Sequence, residues 1–225
     1  MISPLYANIY LHYVLDLWVQ QWRKKFARGE AYVVRYVDDS IYCFQNKTDA
    51  KAFHYHLRKR LEKFGLSLNV KKTRLIEFGR FAKKDCEKRK IKRPETFTFL
   101  GFTHICSERI SDGGFTIFRK TYSKTQSSKL TELKKEMGKR RCIHIHHQGM
   151  WLRAVVTGFY NYFGVPRNIG SLDRFRSEVC RAWLKSLKRR SQKSTLNWAK
   201  FQKLVKRYIP SAKITHPYPN QRFYV

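Results

Sequence analysis

The first thirty residues carry apolar side chains at helical spacing. Ile9, Tyr13 and Leu17 recur every four residues, and Trp22 continues the same stripe. The spacing predicts a helix from residue 3 to about residue 26. Because the sequence in hand starts at this helix, we expect Ile9, Leu17 and Trp22 to expose apolar surface.

Two short patterns typical of β-strands follow the helix. Residues 31–37 and 40–44 are rich in β-branched and aromatic side chains, and two acidic residues, Asp38 and Asp39, stand between them. Two strand patterns around two turn residues predict a hairpin with both carboxylates at its tip.

The middle of the chain alternates between helix, strand and loop patterns. An apolar stripe with helical spacing ends at Gly65, and residues 73–78 have the composition of a strand. Residues 79–93 hold eight Lys and Arg and two acids, which favours a solvated or RNA-facing loop. Residues 96–105 predict a strand, and residues 111–114 predict a turn into a further strand over 115–118.

Helical periodicity dominates from about residue 122 onward. Apolar residues recur there in four groups at helical spacing: Leu130, Leu133 and Met137; Trp151, Val155 and Phe159; Phe175, Val179, Trp183 and Leu187; Trp198, Phe201 and Val205. We therefore predict an α+β protein with two domains. Residues 1–121 form an antiparallel sheet with packed helices, and residues 122–225 form an all-helical domain.

The charge of the chain indicates a polyanionic partner. Lys and Arg number 48 against 16 Asp and Glu, a formal net charge of +32, and residues 119–225 hold 25 Lys and Arg against four acids. Nucleic acid is the expected partner of such a protein. Aromatic residues make up 15% of the chain, which excludes low-complexity disorder and favours stacking or core roles over a purely passive basic protein.

The sequence also limits the cellular compartments in which the protein is expected. No window approaches about 18 uninterrupted apolar residues, so no membrane span is expected. The N-terminus lacks the basic segment of a secretory signal, and five Cys at scattered spacing fit reduced thiols. These features predict a bacterial cytoplasmic or an organellar protein that is not secreted.

The adjacent carboxylates are the sharpest chemical feature. Asp38 and Asp39 repel each other, and a divalent cation would offset that repulsion. Mg²⁺ prefers carboxylate and phosphate oxygens, and a pair of such ions supports nucleotidyl transfer. The alternative is that both Asp are ordinary hairpin-turn residues.

Five segments together resemble the group II intron reverse transcriptases/maturases. The segment Tyr36–Asp39 resembles the aromatic-x-Asp-Asp motif of reverse transcriptases. Residues 2–11, which come before this motif, and residues 65–73 and Phe99–Phe102, which come after it, are similar to other blocks of the same family. Residues 153–163 resemble the thumb of that family, called domain X. The segments stand in family order and span nearly the whole chain, so the resemblance implies a partial polymerase palm followed by a basic helical thumb.

The resemblance implies roles for three residues. Asp38 and Asp39 are two of the family's three catalytic carboxylates and hold Mg²⁺, and Lys72 protonates the leaving pyrophosphate. The third carboxylate, the fingers and the Gln-Gly turn precede the matching part of the family. We therefore expect a truncated copy that does not extend a primer by itself and needs the missing N-terminal piece.

The resemblance also implies nucleic-acid contacts. Tyr36 and the Phe99, Leu100, Gly101 and Phe102 turn would contact the primer and template. The partners implied are group II intron RNA, an RNA template with a DNA primer, and dNTP. Thumb residues expected to bind RNA are Arg140, Arg141, Arg153, Lys188, Arg189 and Arg190.

Other functions stay open at this level. The main alternative is a non-catalytic RNA-binding splicing factor derived from a maturase, which needs the basic helices but not the carboxylates. A ribosomal-type protein is disfavoured because scaffolding needs no such hairpin, and a retron-type enzyme is a close cousin. Residues 142–147 contain a Cys and three His, but their spacing disfavours a zinc site. No endonuclease activity is expected.

Overall fold

A computed structural model describes residues 3–110, 112–190 and 196–222. The architecture is α+β, as predicted, with small antiparallel sheets and helices that dominate the C-terminal part. Its contacts divide the chain into two compact units, Met1–Glu77 and Phe78–Val225. The domain boundary predicted between residues 121 and 122 falls inside the second unit and stays a prediction.

The first unit combines helices with one hairpin. Its elements are α1 (Ser3–Leu11), a π-helical turn (His12–Asp16), α2 (Leu17–Phe26), β1 (Ala31–Tyr36), β2 (Asp39–Phe44) and α3 (Lys47–Glu62). The predicted first helix is confirmed over residues 3–26, but its middle turn is wound as a π-helix. Residues 73–78 form no strand among the described residues, so the strand predicted there is wrong.

The core of the first unit is aromatic. Trp22 is 2% exposed, packs edge-on against Phe53 and donates from Nε1 to Nδ1 of His56 at 2.8 Å. The expectation that Trp22 exposes apolar surface is therefore wrong, since α3 and the hairpin cover it. The expectation holds for Ile9 and Leu17, which are 47% and 37% exposed.

The second unit contains a three-stranded antiparallel sheet and the remaining helices. Its elements are α4 (Ala82–Lys88), β3 (Phe97–Phe99), β4 (Phe102–Glu108), β5 (Phe115–Thr121), α5 (Ser123–Lys139), α6 (Ile145–Phe163), α7 (Ile169–Lys188), α8 (Trp198–Tyr208) and α9 (Pro219–Arg222). The predicted basic loop contains α4, and the predicted strand over residues 96–105 is divided by a turn into β3 and β4. The predicted turn before β5 is confirmed, although Ser111 lies outside the described residues.

Helices α5 to α8 share one core in the second unit. Leu152, Phe175, Trp183 and Phe201 have no exposed surface, and Phe159 stacks on Phe175 with ring centroids 3.7 Å apart. The helical spacing selects Phe159, Phe175, Trp183 and Phe201, but it misses Leu152, and on α6 the predicted Trp151 and Val155 are only half-buried.

A buried amide joins the sheet of the second unit to its helices. Asn168 is 1% exposed, accepts from the backbone N–H of Thr121 and donates to the Thr121 hydroxyl and to the carbonyl of Phe163. Because all three bonds reach backbone or near-backbone groups, Asn168 fixes the end of β5 against the end of α6.

Across the described ranges, no helix has both the length and the apolar character needed to cross a bilayer.

Candidate active site and nucleic-acid interface

The hairpin turn of the first unit lies one residue earlier than predicted. Tyr36 pairs with Asp39, so Val37 and Asp38 form the turn and Asp39 is the first residue of β2. The prediction that both carboxylates lie at the tip is therefore wrong for Asp39. Direct cross-strand neighbours project from the same face of a hairpin, so the Tyr36 ring and the Asp39 carboxylate share one face.

This shared face is the open face of the hairpin. Tyr32 and Val34 lie on it and are 57% and 53% exposed, whereas Val33 and Tyr42 on the opposite face pack against the core. The period of two along each strand explains why one strand carries both sets. The carboxylate of Asp39 therefore stands on an accessible, partly aromatic surface.

The turn carries backbone strain. Val37 has φ of 57°, and it is the first of the two turn residues. A positive φ at this position alone is the pattern of a type II′ turn, in which glycine is usual. Positive φ at a residue other than glycine costs on the order of 1–3 kcal/mol, so the surrounding structure must stabilise the turn.

Arg35 provides that stabilisation from β1. Its guanidinium donates to the carbonyl of Val37 at 2.8 Å and to both carboxylate oxygens of Asp16 at 2.6 and 2.8 Å. Nη1 also donates to Oδ1 of Asn8 at 2.8 Å. Bidentate arginine–carboxylate pairs are strong and directional, so Asp16 fixes the guanidinium that holds the turn.

Asp16 is ionised when it makes this contact. Hydrogen bonds from Arg35 lower the pKa of its carboxyl from the ordinary value, against the opposing effect of burial. Asp16 is the last residue of the π-helical turn, a type of distortion that is frequent at functional sites. We call Arg35, Asp16 and Asn8 the turn brace.

Sequence reasoning missed the turn brace. Asp16 and Asn8 lie on the first helix, far from Arg35 along the chain, and helical spacing gives no sign of the π-helical turn. The only signal available was a lone acid on an otherwise apolar and basic helix, Asp16.

The two carboxylates of the hairpin are exposed and unpaired. Neither Asp38 nor Asp39 makes an ion pair or side-chain hydrogen bond with any other residue in the described part of the chain. In a protein of net charge +32 this leaves a local negative site within a positive surface.

The hairpin offers a divalent cation two carboxylate ligands, Asp38 and Asp39. Across the described ranges, no three or more His, Cys, Asp or Glu side chains are grouped so that they could hold a metal ion. Mg²⁺ is commonly bound by one or two carboxylates and completes its shell with water and substrate phosphates. Asp38 and Asp39 therefore fit a partial Mg²⁺ site that lacks a third protein ligand.

Lys72 lies in the same unit as the carboxylates but in a separate turn. The side chain of Asn69 accepts from the backbone N–H groups of Lys71 and Lys72 at 3.1 and 3.3 Å, which closes the turn. The Lys72 side chain is exposed, and no ion pair joins its ammonium to Asp38 or Asp39 among the described residues.

The Phe99–Phe102 segment is the β3–β4 hairpin of the second unit. Leu100 and Gly101 form its turn with φ of 48° and 76°. The Tyr162 hydroxyl donates to the carbonyl of Leu100 at 3.0 Å, and the Phe102 ring stacks on the Tyr162 ring. Helix α6 therefore fixes a turn with two left-handed residues.

Two of the six predicted RNA-binding residues, Arg141 and Arg189, line one groove between α5 and α7, and Lys188 adjoins it. Arg140 instead lies over the ring of Trp151, with its Cζ 5.0 Å from the ring centroid. Arg153 is exposed on α6, and Arg190 is exposed just after α7.

The second half of the Cys142–His147 segment is helical, because α6 begins at Ile145. His144 caps α6 and accepts from the backbone N–H of His146, and the His146 ring lies 3.0 Å from the Tyr208 hydroxyl.

One known family matches the first part of the chain. Residues 1–104 match the family described as reverse transcriptase (RNA-dependent DNA polymerase), a little less than half of the chain. The match contains Asp38 and Asp39, Lys72 and the Phe99–Phe102 turn, and it supports this family for that segment. No curated protein matches the chain.

Proposed function

We propose that this chain is the C-terminal palm and the thumb of an RNA-directed DNA polymerase of the group II intron type, and that its basic helices bind intron RNA as a maturase does. The braced, exposed carboxylate pair Asp38 and Asp39 carries the catalytic half of the proposal. The basic helical part of the second unit carries the RNA-binding half.

The residues of the hairpin have distinct roles in this proposal. Asp38 and Asp39 would hold Mg²⁺, which when bound supplies charge stabilisation for the oxygens that react in nucleotidyl transfer. Tyr36 lies on the face of Asp39 and would contact the primer strand. Lys72 would donate a proton to the leaving pyrophosphate, and the Phe99–Phe102 turn would position the primer end.

A non-catalytic RNA-binding splicing factor is the second candidate. The observation that favours it is the incomplete donor set, since the described residues place two carboxylates at the hairpin and no third beside them. In this alternative the hairpin is a retained structural element, and only the basic helices function.

Metal binding tests the carboxylate assignment without requiring polymerase activity. Mn²⁺ replaces Mg²⁺ at oxygen sites and is followed by electron paramagnetic resonance of the full chain. Asp38→Asn and Asp39→Asn should each weaken Mn²⁺ binding by about tenfold, because each removes one of two carboxylate ligands. Asp173→Asn, an exposed Asp on α7, is the matched control and should leave the affinity unchanged. Equal affinity in all three variants would show that the hairpin holds no metal.

Complementation tests the polymerase role. An N-terminal reverse transcriptase segment that supplies the third carboxylate, added in trans or fused, should restore Mg²⁺-dependent primer extension. Asp38→Ala or Asp39→Ala in that complex should reduce the rate on the order of a thousandfold, while RNA binding persists. If both variants keep full activity, the Asp pair belongs to an ordinary turn and the palm assignment is wrong.

RNA binding distinguishes the maturase half. The full chain should bind a group II intron RNA more tightly than an unrelated structured RNA of equal length, with affinity that falls steeply as salt rises. Equal affinity for both RNAs would contradict the intron assignment.

A further inference from the structure

A cationic groove of about 310 Å³ lies between α5 and α7 in the second unit. Its walls carry long basic side chains, and its floor is made of small or apolar ones. The basic residues are Lys134, Arg141, Arg181, Lys185 and Arg189, with Lys188 adjoining. The one acid on its lining, Glu178, pairs with Arg181 at 2.6 Å.

Three of these cations form a stripe along α7. Arg181 and Lys185 on α7 and Arg189 just after it follow one another at intervals of four residues, about 6 Å along the helix axis. Like charges at this spacing repel one another, whereas the helix dipole favours cations in the last turn. The interval is close to the separation of neighbouring phosphates along a nucleic-acid strand, so each turn of α7 can face one phosphate.

The groove also contains a donor without an acceptor. Nε of Arg141 is buried and has no hydrogen-bond partner among the described residues. A buried donor that lacks an acceptor is costly, and it would gain one if the Arg141 side chain turned it toward an anionic oxygen in the groove.

Gln148 holds the end of α5 beside the groove. Its Nε2 donates to the carbonyls of Arg140, Arg141 and Ile143 at 2.9, 3.1 and 2.9 Å. Its Oε1 accepts from Nε1 of Trp183 on α7 at 3.1 Å. The two helices that line the groove are thus joined by one buried amide, which orders the site before any ligand arrives.

We propose that this groove binds the sugar–phosphate backbone of an RNA strand, without reading its bases. The proposal rests on the proposed function of the second unit in RNA binding. The residues that line the groove include no aromatic ring and no Asn or Gln side chain, and its basic side chains are of the type that neutralises phosphates. Contacts to phosphates fix position and carry no direct sequence information. Lys134, Arg181 and Lys185 are contact residues that the sequence did not indicate.

Charge removal in the groove gives the first test. The readout is the anisotropy of a fluorescein-labelled structured RNA titrated with the full chain over a potassium chloride series. Lys185→Gln should reduce the slope of log affinity against log salt by about 1, and Arg181→Gln together with Lys185→Gln by about 2. Lys51→Gln, which removes the same charge from an exposed position of α3 in the first unit, should leave the slope unchanged.

A glycine in the groove gives a second test that preserves every cation. A Cβ added at Gly138 meets no atom within 4 Å, so Gly138→Glu places a carboxylate in the groove without a clash. It should weaken RNA binding about tenfold at moderate salt. Gly158→Glu on α6, where an added Cβ also meets no atom, is the matched control and should have little effect. Circular dichroism checks that both variants keep their helices.

The outcomes separate this proposal from the one on which it rests. If the unaltered chain binds no RNA at low salt, the proposed RNA-binding function fails and the groove assignment fails with it. If the chain binds RNA but the groove variants behave like their controls, only the groove assignment is overturned. If poly-L-glutamate binds the chain and the groove variants weaken that binding but not RNA binding, the groove serves an acidic protein partner and the proposal is wrong.

Discussion

Removing the charge of Asp16 should destabilise the hairpin that carries the carboxylate pair. Asp16→Asn keeps the shape of the side chain but weakens two hydrogen bonds to Arg35 and leaves the guanidinium charge uncompensated. Hydrogen bonds to charged groups contribute about 1.5–3 kcal/mol each. The side chains of Arg35 and Asp16 are 14% and 27% exposed, so water replaces part of the lost interaction. We expect a loss of about 2 kcal/mol in the opening free energy of the hairpin.

Substituting the arginine tests the same brace from the other side. Arg35→Gln also loses the bonds to the Val37 carbonyl and to Asn8, so the loss should rise to about 3 kcal/mol. The double variant should lose about 1–2 kcal/mol less than the sum of the two single losses, because both remove the same pair.

Hydrogen exchange is the suitable assay for this prediction. Mass spectrometry of peptides that span β1 and β2 reports the opening of the first unit separately from the second. Glu62→Gln is the matched control, because it breaks an exposed ion pair with Arg58. The Arg58 side chain is 72% exposed and the Glu62 side chain is 56% exposed. The control should change the opening free energy by less than about 0.5 kcal/mol. An Asp16→Asn effect no larger than that of Glu62→Gln would refute the brace.

The brace also predicts a dependence on pH with a definite sign. The pKa of Asp16 is lower in the folded protein than in the unfolded chain, so the unfolded chain binds a proton more readily. The stabilisation is therefore present above the unfolded pKa and is lost as pH falls through the folded one. The difference between Asp16→Asn and the unaltered protein should shrink as the pH falls below about pH 4.

Three further substitutions test other parts of the two units. Val37→Gly should stabilise the hairpin by about 0.5–1 kcal/mol in hydrogen exchange, because glycine adopts positive φ without strain; a destabilised hairpin would contradict the strain. Gly101→Ala should lower the free energy of thermal unfolding by about 1–2 kcal/mol, because the residue has a φ of 76° and the added Cβ would lie 3.4 Å from the Phe163 ring. Gly113→Ala is the control and should cost less, because its φ of 66° is similar but the space around it is open. Asn168→Ala should cost about 2–4 kcal/mol in urea unfolding of the second unit because it abandons three buried hydrogen bonds, and a loss below about 1 kcal/mol would argue against its role.

The sequence predicted the helices better than the turns. Helical spacing located α3 and α5 to α8 because each buries a stripe of apolar residues, and packing follows that stripe. The β1–β2 turn was misplaced by one residue because Val37 is a poor candidate for positive φ, and the turn exists only with help from Arg35. The strand over residues 96–105 was not divided for a similar reason, since Leu100 is an unusual residue for a left-handed turn.

The candidate site was only partly accessible from the sequence. The carboxylate pair is a local motif, so adjacent residues were enough to find it. The turn brace joins residues far apart along the chain, and the groove cations come from α5 and α7 together. Their proximity depends on packing, which no local pattern encodes.

The π-helical turn at His12–Asp16 holds one residue more than an α-helical turn does over about the same rotation, because its hydrogen bonds close over five residues and not four. Deleting one exposed residue there, such as Tyr13, would convert the turn to regular α-helix and leave Asn8 and Trp22 on their present faces. Natural variants of this segment should therefore tolerate a single deletion inside the turn. They should retain Asn8, Asp16 and Arg35, because these three side chains hold the hairpin turn.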